Sequence, residues 1–314
     1  MRRLRALAPW LALAALLARA PGLAAAPLPA VQVESEAPDS ALAAELGRLT
    51  EAFLRALPVS ERPVDTSPIR LLIAADGEQF SRLAGGRNPE WAAALVLERG
   101  RTVLIDKRHL LDLGRSAVLL RHELAHLLLD RRTRGAALPR WFHEGYAQLR
   151  AGEWSMEALW RLGRAAWTGS AIPLAQLERA FPATGPRAEL AYAQSLAAVQ
   201  ALARDGEGWA ALFEALEAGV PFADALECSR GERPSAFYIR FDGEVMPGFR
   251  RWSLLFGTAP LFFGLALLFI VAAWRRRRQR GAGVAAAESA EAPQGETEQS
   301  EWLNRGWIDR FRRR

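Results

Sequence analysis

Arg121-His122-Glu123-Leu124-Ala125-His126-Leu127-Leu128-Leu129-Asp130 is the stretch that decides how this 314-residue sequence folds. Two histidines four residues apart share one face of a helix, so both imidazoles can reach a single metal ion. Glu123 sits one residue on from the first, beside the metal's open position, where it can take a proton from water. Val118, Leu119, Leu120, Leu124, Leu127 and Leu128 flank the pair and make this helix largely buried. Buried imidazoles need partners, and one zinc ion serves both. The chain holds only four histidines, so composition is a poor explanation for two of them falling around Glu123.

A catalytic zinc takes three protein ligands and keeps one position open. The next helical segment reads Leu138-Pro139-Arg140-Trp141-Phe142-His143-Glu144-Gly145-Tyr146-Ala147-Gln148. A turn through Gly135 and Pro139 would bring it back across the first helix and aim Glu144 at the metal. His143 is the rival third ligand. Adjacent residues point roughly 100° apart on a helix, so the two cannot face one metal equally well.

These two segments together resemble the gluzincin metallopeptidases, in particular the peptidase MA-like domain. The family's pattern is HExxH followed by Trp-Phe-x-Glu-Gly-x-Ala, matched here by His122 to His126 and by Trp141 to Ala147. The resemblance is specific over residues 118–150 and weaker over 65–117 and 187–230. It implies a zincin-like, thermolysin-like α+β fold with a small mixed sheet over the active-site helix and a helical lower half. It implies that His122, His126 and Glu144 bind one Zn²⁺, that Glu123 is the general base, and that the reaction is hydrolysis of a peptide or protein substrate. It also implies an oxyanion donor, for which Tyr192 is the first candidate and Tyr146 the alternative. Thermolysin-like enzymes orient a ligand histidine with a carboxylate one turn past the third ligand, where this chain has Gln148. Asp130, one turn after His126, is a second candidate for that task. Two familiar additions are missing. No Gly-x-Met-Glu-Asn segment precedes the zinc helix, which argues against an exopeptidase, and no third histidine stands in the metzincin position.

Outward from the motif, the pattern is mixed and then helical. Ala41 to Leu57 has helical spacing, Ile69 to Ala75 reads as a strand, and a short helix follows from Asp76. Trp91 to Leu97 and Thr102 to Ile105 flank Glu98-Arg99-Gly100-Arg101, a hairpin signal. Thr102 to Asp106 is expected to be the edge strand on which an extended substrate pairs, with Val103 and Ile105 as contacts. Beyond residue 114, helices are expected over 114–130, 139–150, 155–168, 187–204, 207–218 and 221–229. The domain order is then a signal peptide over 1–26, a linker and N-terminal helix over 27–64, the zinc peptidase domain over 65–230, a membrane-proximal segment over 231–253, a transmembrane helix over 254–274 and a basic cytoplasmic tail over 275–314.

The charge distribution supports that order. The net charge is +6, but residues 1–24 hold four arginines and no acid, and residues 274–314 hold ten arginines against six acids. The remainder carries 27 basic and 29 acidic residues, which argues against a nucleic-acid-binding body. Arg2, Arg3 and Arg5 precede a 13-residue apolar stretch from Ala6 to Ala18 and small residues suited to signal peptidase. Leu254 to Ala273 is an uncharged run of 20 residues bracketed by Trp252 and Trp274. At ~1.5 Å per residue it matches a ~30 Å hydrocarbon core. Arg275 to Arg278 and Arg280 follow at once, placing the C-terminus in the cytoplasm and the catalytic domain outside it, periplasmic or extracellular. The tail repeats Leu303, Trp307 and Phe311 among arginines, a pattern suited to anionic membrane contact. A single cysteine, Cys228, excludes an intramolecular disulfide and a cysteine-based zinc cluster. The reading is a membrane-anchored zinc endopeptidase. The alternative is a zinc-binding but hydrolytically weak membrane sensor or assembly factor. An intramembrane protease is disfavoured by Arg115, Arg121, Asp130, Arg131 and Arg132 in the motif helix.

Overall fold

The structure, a computed structural model, describes residues 27–35, 40–86, 94–97, 101–110, 113–182, 184–256 and 264–278. It begins with β1 (Val31–Ser35), α1 (Ser40–Ala56), β2 (Ile69–Ala74), α2 (Gly77–Leu83), β3 (Ala94–Leu97) and β4 (Thr102–Asp106). Helices then take over: α3 (Leu113–Arg132), α4 (Arg140–Ala151), α5 (Met156–Thr168), α6 (Leu174–Arg179), α7 (Gly185–Ala203), α8 (Gly206–Glu217), α9 (Phe222–Arg230) and α10 (Pro234–Arg240). A π-helical segment (Phe241–Val245) leads into α11 (Met246–Phe256). This is the α+β layout of a small sheet followed by helices.

The four described strands run in the order β1-β2-β4-β3. β1 and β4 pair parallel to β2, and β3 pairs antiparallel to β4 with Leu97 opposite Thr102. Every residue of β4 is buried, because both faces of the sheet are covered there. Ile69, Leu71, Ile73, Val103 and Ile105 point into the main core with Leu120, Leu124 and Leu128 of α3. Leu104 points the other way, into a smaller cluster with Phe80 of α2 and Ala74. The alternation of a strand divides one run of apolar residues between two cores.

Two expectations are corrected here. The stretch between residue 27 and the N-terminal helix is expected to be linker, yet Val31–Ser35 extends the sheet, its register with Ile69–Ile73 continuous over five residues. Thr102–Asp106 is not an edge strand. Hydrogen bonds to β2 and β3 occupy both its sides, and Val103 and Ile105 are shut inside the core at 0% and 1% exposure, so neither can touch a substrate. Among the described residues the edges are β1 and β3.

The second half is built around α3, α4 and α7. After α3 the chain turns through Arg134 and Gly135, both at positive φ, with Gly135 N–H donating to the Asp130 carbonyl. Pro139 caps α4, which crosses back over α3 and packs on α7. Gly145 makes that crossing possible. A Cβ there would stand 2.2 Å from the Ser195 carbonyl oxygen on α7, so any side chain would push the helices apart. A buried polar knot fixes α4 from below: Glu61 accepts from Tyr146 Oη at 3.0 Å and Trp209 Nε1 at 2.7 Å and pairs with Arg150. The segment read as membrane-proximal is also folded. α11 packs along α5, with Arg250 Nε donating to the Ala166 carbonyl at 2.7 Å.

The chain divides into two units, Met1–Phe256 and Gly257–Arg314. In the second, residues 264–278 are helical, with every side chain exposed. Among the described residues no helix is long and apolar enough to cross a membrane. The expected span at Leu254–Ala273 includes residues 257–263, which lie outside the described residues, as do the signal reading over 1–26 and the tail beyond 278.

Candidate metal centre

His122 and His126 project from the buried stretch of α3, and α4 delivers Glu144 to them. The two Nε2 atoms stand 3.0 Å apart. Glu144 Oε2 lies 3.8 Å from His122 Nε2 and 3.7 Å from His126 Nε2. Tetrahedral zinc with bonds of ~2.0–2.1 Å spaces its ligand atoms roughly 3.3 Å apart, so this triangle has the right size. Its chemistry fits as well. His122 Nδ1 pairs with Glu153 Oε1 at 2.6 Å, which in the neutral imidazole places the ring proton on Nδ1 and leaves a lone pair on Nε2. A second imidazole and a carboxylate oxygen then face that lone pair, and a cation satisfies all three.

Electrostatics prepare these groups unequally. Burial would lower His122, but the hydrogen bond and charge of Glu153, with Glu123 and Glu144 nearby, raise it overall. His126 is held well below the ordinary histidine range by burial and by the neighbouring His122 and His143, so it is neutral and ready to ligate. Burial pushes Glu123 up to about 7, with His122 opposing and Glu144 and Glu153 assisting. A cation at the triangle would pull Glu123 back down. Glu123 lines the same cleft as His122, Gln148, Glu153 and Tyr192.

The expected supporting residues are placed differently from one another. Tyr192 stands in the cleft wall, its ring edge-on to Phe181 at 5.2 Å. Burial and the charge of Glu144 raise its pKa, so the phenol keeps its proton. Tyr146 is removed from the question: it is fully buried, and its hydroxyl donates to Glu61. His143 does not join the ligand triangle. Its ring stacks on His126 with centroids 4.5 Å apart, and its Nε2 pairs with Asp130 Oδ1 at 3.1 Å. Asp130 therefore holds His143 and not a ligand histidine. Gln148 lines the cleft, but among the described residues no hydrogen bond joins it to either ligand histidine.

The residue hydrogen-bonded to His122 is Glu153, which the sequence reading passed over. Its signal was the glycine before it. Gly152 closes α4 at φ 76°, and the Glu153 N–H donates back to the Gln148 carbonyl at 3.1 Å. The reversal carries Glu153 over the cleft to His122. Arg140 was missed too. Its Nε lies 3.5 Å from Glu144 Oε1, the oxygen turned away from the histidines, and its guanidinium stacks on Phe181 at 4.7 Å.

Residues 64–233 match the family model of the peptidase MA superfamily, more than half of the chain. The chain belongs to the peptidase MA superfamily. No curated protein matches its sequence. Membership makes residues 64–233 a metallopeptidase-like domain with peptide or protein substrates, and the His122–His126–Glu144 triangle is a site in it where a metal can bind. In this peptidase domain α3, α4 and α7 each supply part of one cleft, and the sheet backs α3.

Proposed function

We propose that this peptidase domain is a zinc-dependent endopeptidase, held at a membrane by the uncharged run Leu254–Ala273 with its cleft outside the cytoplasm. The observation that carries the enzymatic reading is the convergence of His122 Nε2, His126 Nε2 and Glu144 Oε2 beside a half-buried Glu123. Zinc held there would supply Lewis acidity and bring the pKa of a water to about 7.

The chain's own groups supply the rest. Glu123 takes the proton of the attacking water and passes it to the leaving nitrogen. Tyr192, protonated and in the cleft wall, donates a hydrogen bond to the oxygen that gains charge at the scissile carbonyl. Glu153 fixes the tautomer and tilt of His122, and Arg140 engages the outer oxygen of Glu144 so that the inner one faces the histidines. Among the described residues β3 is the strand edge open to an extended substrate, the role first expected of β4. The membrane reading is supported by the asymmetric arginines around Leu254–Ala273 and by the exposed apolar side chains of residues 264–274.

The test is cleavage of a denatured protein by the full-length chain in detergent. Activity should appear with zinc, stop with a chelator and return when zinc is restored. A wild-type chain that binds zinc yet cleaves nothing would favour the sensor alternative.

A further inference from the structure

One face of α5 is apolar, exposed and idle in the scheme above. Met156, Trp160 and Trp167 are 55%, 49% and 54% exposed. At ~100° per residue they fall within an arc of roughly 40°, a single stripe down the helix. Trp154, just before α5, is also exposed, its ring 6.5 Å from Phe249 of α11. The Arg164 guanidinium sits 5.3 Å over the Trp160 ring, beside the stripe.

Three observations bear on what covers this face. Indole rings with arginines beside them suit the headgroup layer of a bilayer, where the ring is buried and the N–H and cations meet phosphate and water. The stripe is tied to the start of the uncharged run: Trp167 Nε1 donates to the Arg250 carbonyl at 3.3 Å. Arg250 lies only four residues, about 6 Å of helix, before Leu254. Arg164, Arg250 and Arg251 are exposed, cations of the sign that anionic lipid attracts. The neighbouring flank of α5 is the cleft wall, where Ser155, Glu157 and Arg161 line the space in front of His122 and Glu123. One helix thus carries an apolar stripe on one side and the active-site wall on the next.

We propose that the Met156–Trp160–Trp167 face of α5 lies on an anionic bilayer surface, so that the cleft works on lipid-proximal segments of membrane-attached polypeptides. The proposal rests on the anchored peptidase reading above and names its substrate class. A second copy of the chain is the competing occupant of the stripe.

Depth measurement on the full-length chain in phosphatidylcholine–phosphatidylglycerol vesicles decides between them. A nitroxide is placed on Trp160→Cys, and separately on Leu267→Cys, in a Cys228→Ser background. The label at position 160 should be more accessible to oxygen than to a water-soluble nickel complex, at headgroup depth, while that at 267 reads deep. A label at 160 that is fully aqueous while 267 is deep overturns the surface proposal alone. Spin–spin broadening at 160 overturns it in favour of a second copy. An aqueous label at 267 overturns the anchored reading and this proposal with it. As a functional readout, Trp160→Glu should cut cleavage of a lipid-tethered peptide about tenfold, equivalent to ~1.4 kcal/mol of surface binding, and leave the same peptide in free solution unaffected. Equal loss on both substrates overturns the link between the stripe and the substrate. If the wild type cleaves neither peptide, the peptidase reading fails, and the substrate class with it, while the depth measurement still decides the surface.

Discussion

Replacing Glu123 by Gln changes one atom and removes the proton acceptor from the cleft while leaving the His122–His126–Glu144 triangle as it stands. Zinc stoichiometry and fold should therefore persist while hydrolysis falls by roughly 10²–10⁴-fold. A Glu123→Gln chain with wild-type turnover would remove Glu123 from the mechanism. Glu153→Ala should behave in the opposite way. Without an acceptor at Nδ1, His122 loses its fixed tautomer, and zinc affinity should drop by about 10–100-fold, read from a competitive chelator titration. Protons give a third check. In the metal-free site His122 is raised and Glu123 sits at about 7, so both tend to hold a proton near neutrality, whereas His126 does not. A raised group keeps its proton until the pH climbs through its shifted value, and zinc must displace it below that point. Zinc affinity should therefore rise as the pH climbs through about 7, by up to tenfold per pH unit for each proton displaced. Calorimetry in buffers of different ionisation enthalpy would count those protons, and Glu123→Gln should release fewer. At this scale the meeting of His122 and His126 was legible in the sequence, because spacing on a helix dictates which of its side chains share a face, whereas the approach of Glu144 depends on how a second helix packs. Glu153 was not legible, because its position depends on the left-handed turn at Gly152. Tyr146 stood as the alternative oxyanion donor because its place on the helix of Glu144 says nothing about which way it faces, and here it faces Glu61.

Among the elements, the crossing of α4 over α7 sets where Glu144 ends up. Gly145→Ala would bring a methyl to 2.2 Å from the Ser195 carbonyl oxygen and 2.7 Å from Val199 Cγ2. Backbone cannot yield as a flexible side chain does, so the helices must separate. A loss of about 1–3 kcal/mol in urea unfolding is expected, together with weaker zinc binding because Glu144 is the adjacent residue. Unchanged stability would mean that the helices do not approach this closely. The glycine in the Glu144-Gly145 pair thus has a packing reason beside its place in a motif. The long helices α1, α3 and α7 were readable to within a few residues, α1 from its one-sided apolar spacing and α3 and α7 from long Ala- and Leu-rich stretches without an internal breaker. β1 was not, because Val31-Gln32-Val33-Glu34-Ser35 alternates for only five residues between proline-rich flanks. The β3–β4 hairpin was readable as a local signal, but its pattern is silent on which strand pairs with β2. That choice is made by long-range packing, and among the described residues it puts β3, not β4, at the edge of the sheet.

For the molecule as a whole, the prediction with the widest reach is topology. The body between residues 25 and 273 is nearly neutral, with 27 basic against 29 acidic residues, and the basic excess lies at the two ends. A positive end followed by an apolar stretch directs export, and arginines crowded after a second apolar run stop transfer and stay inside. Arg275 to Arg278 and Arg280 outnumber Arg250 and Arg251 across the run, so the bias favours a cytoplasmic C-terminus. α10 and α11 belong to the unit Met1–Phe256, and α11 runs into the first three residues of the uncharged run. A reporter that is active only in the cytoplasm should therefore work when fused after Arg280 and fail when inserted near Thr50, and an exported reporter should show the reverse. Reversing the local charge by changing Arg275 to Arg278 to glutamate should weaken this orientation, because the rule depends on the cations themselves. A C-terminus that proteases digest on intact cells would contradict the assignment. In that case the active-site cleft would face the cytoplasm, and its substrates would have to be sought there.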